Sequence, residues 1–245
     1  MIRDIMSGFS AYLTAIQLTI QHRLWGYFFA PALICIALGT TIFYTAWNLS
    51  SNVGFFLERI YPFEWGSGLV ESVGQVFGGV LILAVGLILF KNLVIVLASP
   101  FMSYLSEKVE RILHGGASPK FSFTQFGSDM IRGLRIAIRL VVRELFFTLL
   151  LMVAGLFLPF LAPAIPILIL VVQSYYAGAG NIDFTLERYY RVRSSVQFVR
   201  QHKGLAIGNG APYLFLYLTV VGFLFALPLS TIAGTVETMK KLDTD

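Results

Sequence analysis

Residues 145–182 read LFFTLLLMVAGLFLPFLAPAIPILILVVQSYYAGAGNI, 38 positions without a charged side chain and with Pro159, Pro163 and Pro166 in the middle. One membrane span needs only about 20 apolar residues, so this run is too long for a single crossing. Proline removes a backbone donor and blocks helix continuation, so three of them close together mark a turn. The stretch therefore reads as a hairpin with arms of about 14 and 12–16 residues, or roughly 20–24 Å each at about 1.5 Å per residue. Arms of that length either enter the membrane and return to the same side, or cross it as two short spans. The two ends of the run lie on one side in both cases.

Outward from this hairpin the same pattern repeats. Leu205 to Val236 is a second uncharged run, broken by Pro212 and Pro228. Towards the N-terminus, Trp25 to Asn48 has no charge over 24 residues. It covers about 36 Å, enough for a hydrocarbon core of about 30 Å. Trp25, Tyr27, Tyr44 and Trp47 stand near its ends, where interfacial aromatics belong, and Pro31 falls in its second turn. Ser72 to Phe90 is uncharged, Lys91 interrupts, and Asn92 to Ser106 is uncharged again. The pattern predicts one long helix with Lys91 near an end of its spanning part. Gly74 and Gly78 form a small-xxx-small pair that permits close helix contact.

Ahead of the first span, Ile5, Phe9, Tyr12, Ile16 and Ile20 recur at steps of three and four, one face of an amphipathic helix. That face either lies in the membrane interface or packs on the protein's own core. No uninterrupted apolar stretch with a cleavage site follows Arg3 and Asp4, so residues 1–24 do not read as a signal peptide. The expected fold is all-α and integral to the membrane. Two long transmembrane helices are followed by two proline-broken, hemi-penetrating helical hairpins, with an N-terminal amphipathic helix ahead of them. As one domain over 1–245 this gives 1–24 as the amphipathic helix, 25–48 and 72–106 as the long helices, and 145–182 and 205–236 as the hairpins.

Composition agrees. The chain is 57% hydrophobic and 13% charged, with mean hydropathy +0.77. Soluble domains average about 45–50% apolar and about 25% charged. Disorder, collagen-like repeats and a secreted disulfide scaffold are excluded, and the lone cysteine, Cys35, has no partner within the chain. The net charge of +5 reports orientation rather than nucleic acid. Segment 107–144 carries Lys108, Arg111, Lys120, Arg132, Arg135, Arg139 and Arg143. Segment 183–204 carries Arg188, Arg191, Arg193, Arg200 and Lys203, and the tail carries Lys240 and Lys241. Segment 49–71 has Arg59 alone against three glutamates. Positive-inside counting puts both basic segments and both termini in the cytoplasm, and 49–71 on the other side.

Several groupings carry chemistry. Arg132, Arg135, Arg139 and Arg143 fall within about 80° of arc on one helix face. Such a stripe meets anionic lipid headgroups, or lines a pore mouth that attracts anions. Ser122 and Gln125 match a capping box that would start this helix. Arg23 stands just before the first span, where its charge either snorkels to the interface or contacts a ligand beside the span's opening N–H groups, which favour anions. Asp183 and Glu187 call for a basic partner such as Arg188 or Arg191. Gln173, inside an apolar arm, calls for a hydrogen-bond partner or a water-lined path. Gly178-Ala-Gly180 and Gly208-Asn-Gly210 read as turn or close-packing glycines. Histidines His22, His114 and His202 form no metal motif, and no nucleophile elbow, phosphate loop or dinucleotide fingerprint occurs. No enzyme, cofactor or metal is expected.

The order of parts, together with Ala98-Ser-Pro-Phe-Met-Ser-Tyr-Leu-Ser-Glu-Lys-Val-Glu110, resembles the CysZ/etoposide-induced-protein family. The string is similar to that family's A-P-F-N-x-x-L-A-E-x-x-E signature. Phe9-Ser-Ala-Tyr, Pro31 in the first helix, and Asp183-Phe184 ahead of a basic stretch are similar too, so the likeness spans nearly the whole chain. It implies an inner-membrane sulfate permease of bacteria, feeding cysteine biosynthesis, channel-like, homo-oligomeric and free of any ATP-binding part. It also implies hemi-penetrating hairpins and an orientation that need not be single. The family's sulfate site is a Gly-Leu-Arg-Arg-like stretch shortly before the first helix's proline. Counted back from Pro31, Arg23, Leu24, Trp25 and Gly26 stand there, with one arginine instead of a pair; Gly133-Leu134-Arg135 spells the tripeptide in another segment. The expected ligands are therefore sulfate or a related oxyanion and membrane lipids. The alternative is a non-transporting membrane protein of the same fold, a lipid binder or an assembly partner.

Overall fold

Among the described residues every regular element is helical. The computed structural model describes residues 2–41, 44, 68–115, 123–219 and 221–243. Trp47, segment 49–67 and the Ser122 cap lie outside them, as do the surroundings of Gly74, Gly78 and Gln125. In chain order, α1 is Ile2–Gln21 and a 3-10 turn Leu24–Phe28 leads into α2, which ends at Thr41. Helix α3 is Gly68–His114 and α4 is Phe123–Phe157; the 3-10 turn Pro159–Ala164 then precedes α5, Ile165–Leu186. Helices α6 (Val192–Gln201), α7 (Lys203–Tyr217) and α8 (Gly222–Leu242) complete the chain. Four stretches are long and apolar enough to cross a membrane: Leu24–Thr41, Ile88–His114, Ile165–Leu186 and Gly222–Leu242. The protein is thus an all-α, multi-pass membrane protein.

The first proline cluster separates α4 from α5, and the two helices run antiparallel. Phe147 stacks near Tyr176, and Arg132 meets Asp183. The arms exceed the uncharged run: α4 has 35 residues and α5 has 22, about 52 Å and 33 Å at about 1.5 Å each. A helix does not stop where charges begin, because backbone hydrogen bonds continue through polar side chains that find partners.

The second proline pair behaves differently. Pro212 lies inside α7 and Pro228 inside α8, while α7 ends at Tyr217 and α8 begins at Gly222. There the Thr219 hydroxyl accepts the Gly222 N–H at 3.1 Å. Neighbouring helices make an internal proline tolerable in an apolar bundle, so proline alone does not locate the turn.

Lys91 falls near the start of the Ile88–His114 stretch, as expected, and the fold gives it a partner. It lies midway along the 47-residue α3, and only 1% of it is exposed. Its ammonium meets Glu144 of α4 at 2.5 Å, and the Asn92 amide reaches the same carboxylate at 3.5 Å. Burying both charges is tolerable only because each has the other.

Helix α1 packs against α7 and α8. Its buried face holds Gly8, Ala11, Tyr12, Ala15 and Leu18, and the Tyr12 hydroxyl donates to the Asn209 carbonyl at 2.6 Å. Met6, Phe9, Leu13, Ile16 and Ile20 are exposed. Of the predicted apolar face, then, Tyr12 enters the core while Phe9, Ile16 and Ile20 point outward. The glycine doublets are contact points within helices. A Cβ on Gly8 would stand 2.7 Å from the Gly208 backbone, and one on Gly210 would stand 1.8 Å from the Ser174 carbonyl oxygen. Large side chains at these crossings would force α1, α5 and α7 apart.

Candidate anion site

Helix α4 positions the arginine stripe, and the segment from the end of α5 into α6 brings a second basic set against it. The Ile136, Ala137 and Leu140 face of α4 is buried, which turns the arginines at 132, 135 and 139 towards the end of α5. Together with Arg188, Arg191 and Arg193 they line a cavity of about 700 Å³, whose wall also holds Ser103, Ser128 and Glu187.

Two of these arginines are neutralised. The Arg132 guanidinium reaches Asp183 Oδ1 at 3.2 Å and Glu187 Oε2 at 3.8 Å, and donates to the Tyr190 carbonyl at 2.9 Å. Ser195 donates to the same Asp183 carboxylate. Arg188 turns to α3, donating to Glu110 at 2.8 Å, to Ser106 Oγ at 2.9 Å and to the Phe184 carbonyl at 2.9 Å. Ser106, Thr185 and Thr235 close a hydroxyl ring with edges of 2.9, 3.0 and 3.0 Å, tying α3, α5 and α8 together behind Arg188. Tyr189 adds a hydrogen bond to Glu110, and burial together with that bond pushes its hydroxyl up to about 12.

The expected partners of Asp183 and Glu187, Arg188 and Arg191, are therefore not the ones found. Positions 183 and 187 are one helical turn apart on the side of α5 facing α4, whereas position 188 is rotated by about 100° towards α3.

Arg135, Arg139, Arg191 and Arg193 have no ion-pair partner among the described residues. Beside them, the Ser103 hydroxyl is buried and has no hydrogen-bond partner among the described residues. This vestibule combines four uncompensated guanidinium groups with an available hydroxyl donor. Guanidinium groups form paired N–H bonds to planar and tetrahedral oxyanions, and a neutral hydroxyl donor adds to them.

The other sequence-predicted residues lie elsewhere. Arg143, the fourth of the stripe, lines a different cavity. Arg23 is exposed and holds the left-handed conformation, φ 53° and ψ 45°, at the join between α1 and the 3-10 turn. Leu24 is buried in the core beside Phe28, while Trp25 and Gly26 are exposed. None of these four lines the vestibule. Gln173 is buried and borders a small cavity shared with Lys91 and Tyr217.

From the sequence, Arg188 and Arg191 served for orientation and as partners for Asp183 or Glu187, Arg193 for orientation alone, and Ser103 only as a letter of the signature string. The one signal available for the arginines was the density of positive charge in 183–204.

No curated protein matches the chain. The sequence profile described as Sulfate transporter CysZ/Etoposide-induced protein 2.4 matches residues 11–232, which covers most of the molecule, so the chain belongs to that family.

Proposed function

We propose that this protein is a permease or channel for sulfate or a related oxyanion that works without ATP hydrolysis. In this reading it acts as a homo-oligomer in the bacterial inner membrane and supplies sulfate for cysteine biosynthesis. The observation that carries the reading is the arginine vestibule with Arg135, Arg139, Arg191 and Arg193 uncompensated. The family description supports sulfate as cargo. Positive charge in a cleft with low-dielectric walls concentrates anions at its mouth. Arg132 and Arg188 hold the walls through their carboxylate partners, and Ser103 offers a donor to the arriving anion. Arg23, Leu24, Trp25 and Gly26 form a second anion contact, with Arg23 and the exposed backbone at Gly26 as its working groups.

Radiolabelled sulfate flux into proteoliposomes tests this. Wild type is expected to exceed empty vesicles. Arg135→Ala/Arg139→Ala is expected to lower the initial rate several-fold, with the deficit shrinking as salt screens the vestibule. Wild-type flux equal to that of empty vesicles overturns the permease reading and leaves the non-transporting alternative. Unchanged flux in Arg23→Ala removes only the second contact.

A further inference from the structure

A second cavity, separate from the vestibule, has a different character. It lies between α4, α5, α6 and α7 and holds about 740 Å³, within the roughly 300–1,000 Å³ usual for small-ligand sites. Arg143, Arg200 and Lys203 line it, and none has an ion-pair partner among the described residues. Tyr175 lines the same wall. Asp183 also borders the cavity, but Arg132 and Ser195 hold its carboxylate.

The wall changes along its length. One turn beyond Arg143 on α4 stands Phe147, and one turn before Tyr175 on α5 stands Val171. Because α4 and α5 are antiparallel, both steps lead the same way, towards the Pro159–Ala164 turn. Exposed Leu150 on α4 and Leu168 on α5 extend this track outside the cavity. A free inorganic anion would use the cationic end and leave the apolar track empty. A ligand with a phosphate at one end and a hydrocarbon chain at the other matches both. Basic pockets between membrane helices take anionic lipid headgroups for this reason.

We propose that this cavity binds the headgroup phosphate of an anionic phospholipid through Arg143, Arg200 and Lys203, with an acyl chain laid along Phe147 and Val171. The bound lipid fills the space between the α4–α5 hairpin and α6–α7, and so fastens the two together.

Native mass spectrometry of the full-length, delipidated protein tests it with three probes: dioleoylphosphatidylglycerol, dioleoylphosphatidylcholine and inorganic phosphate. Phosphatidylglycerol is expected to be retained over phosphatidylcholine, and inorganic phosphate is expected not to displace it. Each cation near a lipid surface contributes about 1 kcal/mol, so Arg143→Gln/Arg200→Gln is expected to lower retention about tenfold or more. Val172→Trp, which fills the cavity and keeps its charges, is expected to lower retention as well. Equal retention of the two lipids overturns the proposal in the wild-type protein alone, whatever the variants do. Displacement by inorganic phosphate assigns the site to a free anion and overturns it too, as does retention unchanged in both variants. Neither substitution touches the vestibule, so sulfate flux in the same preparations reports separately on the permease reading.

Discussion

Lys91 and Glu144 show what a single residue can and cannot announce. An isolated lysine between two apolar runs looks like the edge of a span, because a lone charge is costly inside one. Its partner lies 53 positions away on another helix, and no local pattern connects them. Removing one member leaves the other buried without compensation, at a cost of about 3–5 kcal/mol. Glu144→Leu is therefore expected to lower the melting temperature of the detergent-solubilised protein sharply, and Lys91→Met/Glu144→Leu to recover most of the loss. A double variant no more stable than the single one would show that the pair is not the source. The arginine stripe divides in the same way. Spacing places Arg132, Arg135, Arg139 and Arg143 on one face. Only the approach of α5 and α6 makes Arg132 a structural anchor, Arg135 and Arg139 vestibule groups, and Arg143 part of another cavity.

Helices α4, α5, α7 and α8 were legible as apolar runs, and their joints were legible only in part. Pro159, Pro163 and Pro166 crowd one turn and break the helix there. Pro212 and Pro228, standing alone, remain inside helices. Helix α1 was ambiguous between core and interface because it has both kinds of surface: a small-residue face on α7 and α8, and an exposed face of Phe9, Leu13, Ile16 and Ile20. At one end Asp4 meets Lys241 of α8 at 2.9 Å, a contact that holds the Asp4 carboxyl below the usual carboxylate range. The close crossings give a sharp expectation. A methyl group at Gly210 meets backbone at 1.8 Å, whereas one at Gly127 meets nothing within 4 Å among the described residues. Gly210→Ala is expected to cost about 1–3 kcal/mol by overpacking, and Gly127→Ala to be neutral or to gain about 0.5–1 kcal/mol of helix stability. Thermal unfolding of the two side by side checks this; equal melting temperatures would remove the close-packing role assigned to Gly210.

At the scale of the whole molecule the distribution of Lys and Arg sets the expected topology. In a Cys35→Ser background, a cysteine at Ser67 is expected to react with an impermeant maleimide from the non-cytoplasmic side only. A cysteine at Ser194, which is exposed beside the vestibule, is expected to react only from the cytoplasm. Reaction of Ser67→Cys from the cytoplasm alone overturns the assignment, and reaction of both positions from both sides marks two orientations.

The sequence by itself determined the class of protein and the order of its parts. Hydrophobic run length and charge placement are local and additive properties, and a bilayer reads them segment by segment. Family membership was also legible, through the 98–110 string and the layout. Tertiary structure alone decided which charged groups are paired and which line cavities. Which cations are neutralised depends on carboxylates brought from other helices, as Glu144 comes to Lys91, Asp183 to Arg132 and Glu110 to Arg188. Which cations stay available depends on the cavities left between helices whose contacts are set by glycines far apart in the chain. An anion is attracted by net, uncompensated charge, and compensation is a property of the folded arrangement.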